Sequence, residues 1–246
     1  MKFKGVVIFL ILGVALSSIA YILLQTERAS FIYSDYGVVI PTDYPVMGLD
    51  ISHHQGEINY EETVQMGSAK DSVQFVYIKA TEGTNFLDSK YDQNAEGFAA
   101  HGMNYGFYHY YQPDRSAEKQ ALFYCETVKR YNFKLIPVVD IEVIGNLNKN
   151  KLVDSLTVFI NRVHQILESR PMIYTYVSFY KDYLHNTHLD SELFWFASYN
   201  RENPYMEMEN AVIWQFSERG NVNGIETKVD LNVAKSNYKD KILRVR

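Results

Sequence analysis

The chain of 246 residues carries 24 Lys and Arg against 29 Asp and Glu, a formal charge of -5, and 47% of it is apolar, which describes a globular protein with enough core for one large domain. The acidic balance and the lack of any Lys/Arg-rich run exclude a protein that tracks nucleic-acid phosphates. A single cysteine, Cys125, excludes an intramolecular disulfide; lying in a helical pattern, it reads as a small buried apolar residue.

At the N-terminus, Lys2 and Lys4 precede an uncharged run over 5–25 dominated by Val, Ile, Leu and Phe. About 20 apolar residues rising about 1.5 Å each cross a hydrocarbon layer of about 30 Å, so residues 1–26 are expected to be a membrane anchor. The alternative is a cleaved signal segment, for which Ser18-Ile19-Ala20 is an imperfect small-x-small site. In either case the basic flank stays in the cytoplasm, and the rest of the chain is expected outside it, held at the cell membrane or secreted. Residues 27–45, rich in Tyr, Ser, Asp and Pro, show neither a helical nor a strand period and are expected to be a linker or stalk lying against the domain that occupies 46–246.

Within that domain, strand-like runs at 47–51, 75–80, 105–111, 135–143 and 172–177 alternate with helical patterns at 60–69, 89–100, 117–131, 151–169 and 179–184. Further strand-like runs at 193–199, 211–216 and 228–232 follow without convincing helices between them. Strands alternating with helices indicate parallel βαβ units, and about eight strands in about 200 residues predict a closed α/β barrel whose first five units are regular and whose end is strand-only. A doubly wound open sheet is disfavoured, because no glycine-rich phosphate fingerprint follows the first strand.

The active site of such a barrel gathers at the C-terminal ends of its strands. Asp50 and Ser52 fall there on the first strand, Glu82 on the second, His109 on the third, Asp140 and Glu142 on the fourth, Tyr174 and Tyr176 on the fifth, Ser198 and Tyr199 on the sixth, Gln215 on the seventh and Asp230 on the last. The sharpest pattern is Pro137-Val138-Val139-Asp140-Ile141-Glu142-Val143, an apolar strand broken by two acids at alternate positions, which face one side. Two acids on one face of a buried strand are costly unless they serve a site. Their repulsion is expected to raise one pKa and leave the other group ionised, supplying both a proton donor and an anion near neutral pH. The bland alternative is a structural pair bridged to Lys79 or Arg162; likewise Asp50 and Asp230 could be turn elements, and Glu82 could be a partner of Lys79. The seven His show no helical ligand spacing, so no metal and no cofactor is expected. The 20 Tyr, 14 Phe and 2 Trp suit a packed core, with a share free to stack on sugar rings.

Gly48-Leu49-Asp50-Ile51-Ser52-His53-His54-Gln55-Gly56, Phe75-Val76-Tyr77-Ile78-Lys79-Ala80-Thr81-Glu82-Gly83, Gly106-Phe107-Tyr108-His109-Tyr110, Val138-Val139-Asp140-Ile141-Glu142, Trp195-Phe196-Ala197-Ser198-Tyr199, Val212-Ile213-Trp214-Gln215-Phe216 and Val229-Asp230-Leu231-Asn232 follow one another in this order. In that order they resemble the glycoside hydrolase family 25 muramidases, the Chalaropsis-type lysozymes. The resemblance covers residues 46 to 240 and departs mildly at Ser198, Leu49 and Leu231. It implies a flattened barrel of five βα units closed by three further strands, and hydrolysis of the β-1,4 bond after N-acetylmuramic acid in peptidoglycan glycan strands; the protein is expected to be a monomer. It also implies Glu142 as general acid/base, Asp140 as its partner, and Asp50 and Asp230 as the two further acids of the cleft. Tyr108, Tyr176, Trp195, Tyr199, Gln215 and Glu82 are the candidates for substrate binding. Asp-x-Glu on one strand favours retention assisted by the substrate's acetamido group, with Asp50 as a direct nucleophile the runner-up. The rivals are a glycan-binding barrel that has lost catalysis, against which all four acids count, and a chitinase-like hydrolase, which would want an acid where Val138 stands.

Overall fold

The computed structural model describes residues 31–41, 43–67, 72–200 and 203–244. The expected membrane anchor or signal segment lies outside them. Among the described residues no helix is long and apolar enough to cross a membrane.

Two short strands, β1 (Phe31–Tyr33) and β2 (Val39–Pro41), pair antiparallel. The segment expected to lack regular structure is therefore partly a ribbon, and its strands of three residues are too short to show a period of two. Its turn is closed by Gly37 N–H donating to the Ser34 carbonyl at 3.0 Å, with Gly37 at φ 71°. Tyr36 at the tip is fully buried, and its carbonyl accepts from the Asn221 N–H at 2.8 Å, which docks the ribbon on the domain.

The domain is a barrel of eight strands: β3 (Val46–Ile51), β4 (Val73–Glu82), β6 (Asn104–Tyr110), β7 (Val138–Asp140), β8 (Met172–Tyr176), β9 (Phe194–Ala197), β10 (Ala211–Val222) and β11 (Ile225–Ala234). Pairing of β3 with β4 closes it; β11 is antiparallel to both β10 and β3, and the remaining pairs are parallel. A two-residue strand, β5 (Phe86–Leu87), folds back on the end of β4. Helices α1 (Tyr60–Gln65), α2 (Tyr91–Ala100), α3 (Ala117–Val128) and α4 (Lys149–Leu167) follow the first four barrel strands, and a short helix running into a π turn over Tyr180–Leu184 follows β8. Five βα units and a strand-only end are thus present as expected. The first helix is shorter than the pattern at 60–69 suggested, and position 69 lies outside the described residues.

Local sequence accounts for the longest helix. The Asn148 side chain caps α4 by accepting from Lys151 N–H at 3.0 Å, and Glu168 in a left-handed conformation ends it. Leu152, Leu156, Phe159, Ile160 and Val163 recur on one face and are fully buried, each contributing roughly 1.5–3 kcal/mol. They meet the face of α3 that buries Ala121, Tyr124 and Cys125; burial pushes the Cys125 thiol up to about 12, so it stays an inert packed group.

Strand alternation then divides the barrel. Val76, Ile78, Phe107, Val139 and Ile173 belong to the core that includes the helices, whereas Phe75, Tyr77, Val138, Met172, Tyr174 and Trp195 fill the barrel interior. Gly48 makes room for this filling, since a Cβ there would lie 2.1 Å from the Phe75 ring. Phe75 packs on Tyr238, and Tyr77 on Trp195 at 5.0 Å, so aromatics fill the N-terminal end of the barrel, while the acids gather at its C-terminal end.

Candidate active site

The opening is a cleft of about 240 Å³ into which Asp50, Asp140, Glu142 and Asp230 all project, together with Tyr108, Tyr176, Trp195, Tyr199 and Gln215. Three strands, β3, β7 and β11, bring these four acids to the opening. Asp140 ends β7, and Glu142 lies two residues on, just beyond the strand, so the alternation places both toward the axis while Ile141 between them is buried. The strand expected over 135–143 is only three residues long, and this leaves Glu142 in a loop, partly exposed. Asp50 on β3 stands directly opposite Asp230 on β11.

Asp50 is held by two side-chain amides. Gln215 Nε2 donates to its Oδ2 at 3.0 Å and Asn232 Nδ2 to the same oxygen at 2.7 Å. Gln215 in turn accepts from the Tyr174 hydroxyl at 2.8 Å and the Tyr199 hydroxyl at 2.9 Å, and Asn232 accepts from Trp195 Nε1 at 2.8 Å. Tyr174, Tyr199 and Trp195 therefore act partly by orienting the amides that face Asp50. The loop after β3 is fixed as well: the fully buried Asp88 accepts from the His53 N–H at 3.0 Å and lies 2.7 Å from His53 Nδ1.

Burial raises Asp50, Asp140, Glu142 and Asp230 alike. Glu142 is pushed up to about 7 by burial and then by the charge of Asp50, with Lys79 opposing. Asp140 is raised by burial and then by Glu142, again against Lys79. Desolvation is the largest cause for both members of the pair, and their mutual repulsion adds to it at Asp140. Asp230 is pushed up to about 8 by burial, Asp50 and Glu218. Asp140 Oδ1 is buried and meets no hydrogen-bond donor among the described residues, a costly state unless a ligand supplies one.

Glu82 and His109, expected at the site, and Arg162, the alternative partner for the acid pair, do not line the cleft. Glu82 is turned away to Lys79 Nζ at 2.7 Å and Gln112 Nε2 at 2.9 Å; partial burial opposes the shift, yet these bonds hold its carboxyl below the usual range. His109 points out to the helices, 2.8 Å from Thr81 Oγ1 and stacked on Phe159, and burial pushes it down to about 3, so it stays neutral. Arg162 pairs with Glu118 on the outer helices. Among the described residues no three His, Cys, Asp or Glu are grouped to hold a metal ion.

The cleft also contains Lys79, Tyr110, Tyr174 and Glu218, which the sequence reading did not place among the binding residues. Tyr110 follows Tyr108 at the strand period and was within reach of it. Glu218 was not, because β10 shifts register between Gln215 and Ser217 and again before Gly220, which breaks the parity that Gln215 sets.

The profile of the glycosyl hydrolases family 25 matches residues 49–225. The uncharacterized protein YegX of Escherichia coli K12 is 30% identical over 198 residues, covering 80% of this chain and 72% of its own length. The autolytic lysozyme of Clostridium acetobutylicum is 31% identical over 189 residues, 75% of this chain and 54% of that protein. The crystal structure of the bacterial lysozyme from Streptomyces coelicolor superposes with a TM-score of 0.69 at 27% identity, covering 80% of this chain and 97% of that one. With the profile running from the first barrel strand into the last, and with relatives in sequence and in fold covering four fifths of the chain, this protein belongs to glycosyl hydrolases family 25 and is a glycoside hydrolase.

Proposed function

We propose that the chain is a lysozyme-type muramidase that hydrolyses the β-1,4 bond between N-acetylmuramic acid and N-acetylglucosamine in peptidoglycan, retaining anomeric configuration with help from the substrate's own acetamido group. The observation that carries this reading is the pair at the end of β7: Glu142, just beyond the strand, holds a proton up to about 7, and beside it Asp140 presents a buried oxygen that meets no donor among the described residues. An acetamido N–H directed at Asp140 Oδ1 satisfies that oxygen and favours the ionised carboxylate. The polarised acetamido oxygen attacks the anomeric carbon, the glycosidic C–O bond breaks, and Glu142 gives its proton to the departing oxygen. A water then adds to the same carbon, losing its proton to Glu142, and the acetamido ring opens. Asp50 supports the positive charge that develops on the sugar, and Tyr108, Tyr110 and Tyr176 offer faces for pyranose stacking. A chitinase-like reading fits less well, since Val138 packs in the apolar barrel interior.

Proton NMR of the first product tests the scheme: the β-anomer is expected before mutarotation. An α-anomer, or a sugar found covalently on Asp50 by mass spectrometry, overturns it.

The apolar run over 5–25 supports a catalytic domain held on the outer side of the membrane. The full-length chain is expected to sediment with membranes, and a version lacking residues 1–26 to remain in the supernatant. Full-length protein that washes off with an N-terminus created after Ala20 would show a cleaved signal instead.

A further inference from the structure

The polarity of the hydrogen bonds around Asp50 fixes more than its position. Trp195 Nε1 is a donor only, so the Asn232 side chain must turn its oxygen to the indole, and its Nδ2 is thereby forced toward Asp50. Gln215 takes two phenol hydroxyls on its oxygen and sends its own Nε2 to the same Asp50 atom. Asp50 Oδ2 therefore accepts two N–H bonds and carries no proton. Yet the side chain of Asp50 is also hydrogen-bonded to that of Asp230, its direct neighbour across β3 and β11. A bond between two carboxyl groups needs one proton.

We infer that Asp50 and Asp230 form a carboxyl pair holding a single proton, carried by Asp230, which donates it to an Asp50 kept as the anion. This deepens the muramidase reading of the cleft and rests on it for its consequence. Asp230 is then a positioning residue rather than an acid that touches the reacting atoms. It satisfies a buried carboxylate that faces the anomeric carbon, and it prevents two adjacent buried charges. With three donors on Asp50, the carboxylate is stabilised as an electrostatic support and weakened as a nucleophile, in keeping with the acetamido route.

The groups facing Asp230 agree with this placement. Asp50 on β3, Glu218 on β10 and Glu142 after β7 present acids to it, while the cation of the cleft, Lys79 on β4, leans to Glu82 and over the Tyr110 ring at 5.0 Å. Burial and these acids push Asp230 up to about 8, and the amides oppose the rise at Asp50.

The test is a carboxyl titration of the full-length chain labelled with ¹³C at its aspartyl carboxyls, with the Asp230 signal identified by its loss in Asp230→Asn. It is expected to titrate with a midpoint near 8 and to move to lower pH in Asp50→Asn, where the neighbouring anion is gone. An Asp230 signal in the ordinary carboxylate range, or a midpoint indifferent to Asp50→Asn, overturns the inference. Activity adds a second arm. Log kcat/KM against pH steepens above about 8 in the wild type and does not in Asp230→Asn, and Asp230→Ala loses more kcat than Asp230→Asn, whose amide still donates to Asp50. Equal losses in the two variants would also count against it. The titration does not depend on turnover, so failure of the muramidase reading leaves its outcome legible.

Discussion

Glu142→Gln is expected to lower kcat on peptidoglycan by about 10²–10⁴-fold while leaving the melting temperature and glycan binding nearly unchanged. The amide keeps the shape of the side chain and removes only the transferable proton. The pH profile gives a second reading of the same group. Glu142 must be protonated to act, its pKa is pushed up to about 7, and so wild-type kcat/KM falls as pH rises through about 7. In Glu142→Gln that alkaline limb is absent from the residual rate. A variant within tenfold of the wild type, or one that keeps the limb, would remove Glu142 from the role of acid.

The second large effect belongs to Asp140. Asp140→Asn is expected to lower kcat by about 10²–10³-fold with little change in KM, because the neutral amide cannot stabilise the positive charge that grows on the acetamido group in the transition state. The ground-state N–H contact survives, since the Asn oxygen can still accept it. The loss therefore appears in kcat. Steady-state kinetics on a soluble glycan fragment separate the two constants. An equal rise in KM with kcat unchanged would make Asp140 a binding group, and a rate within tenfold of the wild type would end the assisted scheme.

Asp140 and Glu142 were legible in the sequence because they fall at alternate positions of one short apolar run, where a period of two is local information, even though the strand itself ends at Asp140. Asp50 and Asp230 were legible as strand-end acids, but their pairing was not: it depends on β11 running antiparallel against β3 to close the barrel, a contact across 180 positions that no local pattern records. Trp195, Gln215 and Tyr199 read as binding residues, and the structure adds that they also orient the amides around Asp50. Glu82 misled because its place at a strand end looks like that of the other acids; its partner Lys79 lies three residues earlier and captures it locally. Glu218 stayed invisible because successive bulges in β10 reset the inward and outward faces. The ribbon at 31–41 was missed because its strands are three residues long and its docking is non-local: Tyr36 and Ile40 are buried in the core, and the Tyr36 carbonyl accepts from Asn221 far along the chain.

The barrel itself was the easier inference. Long amphipathic helices such as α4 advertise themselves through buried positions at helical spacing, and the rhythm of strand and helix over the first five units fixes a parallel arrangement. What the rhythm cannot convey is the interior filling, where Gly48 yields its space to Phe75 and aromatic rings fill the end opposite the acids.

Digestion of purified peptidoglycan, borohydride reduction of the products and mass spectrometry of the new chain ends test the central claim most directly. A muramidase acting through Glu142 leaves reduced N-acetylmuramic acid at the ends, and the Glu142→Gln protein at the same concentration leaves almost none. Reduced N-acetylglucosamine at those ends, or equal release by the two proteins, would contradict the account.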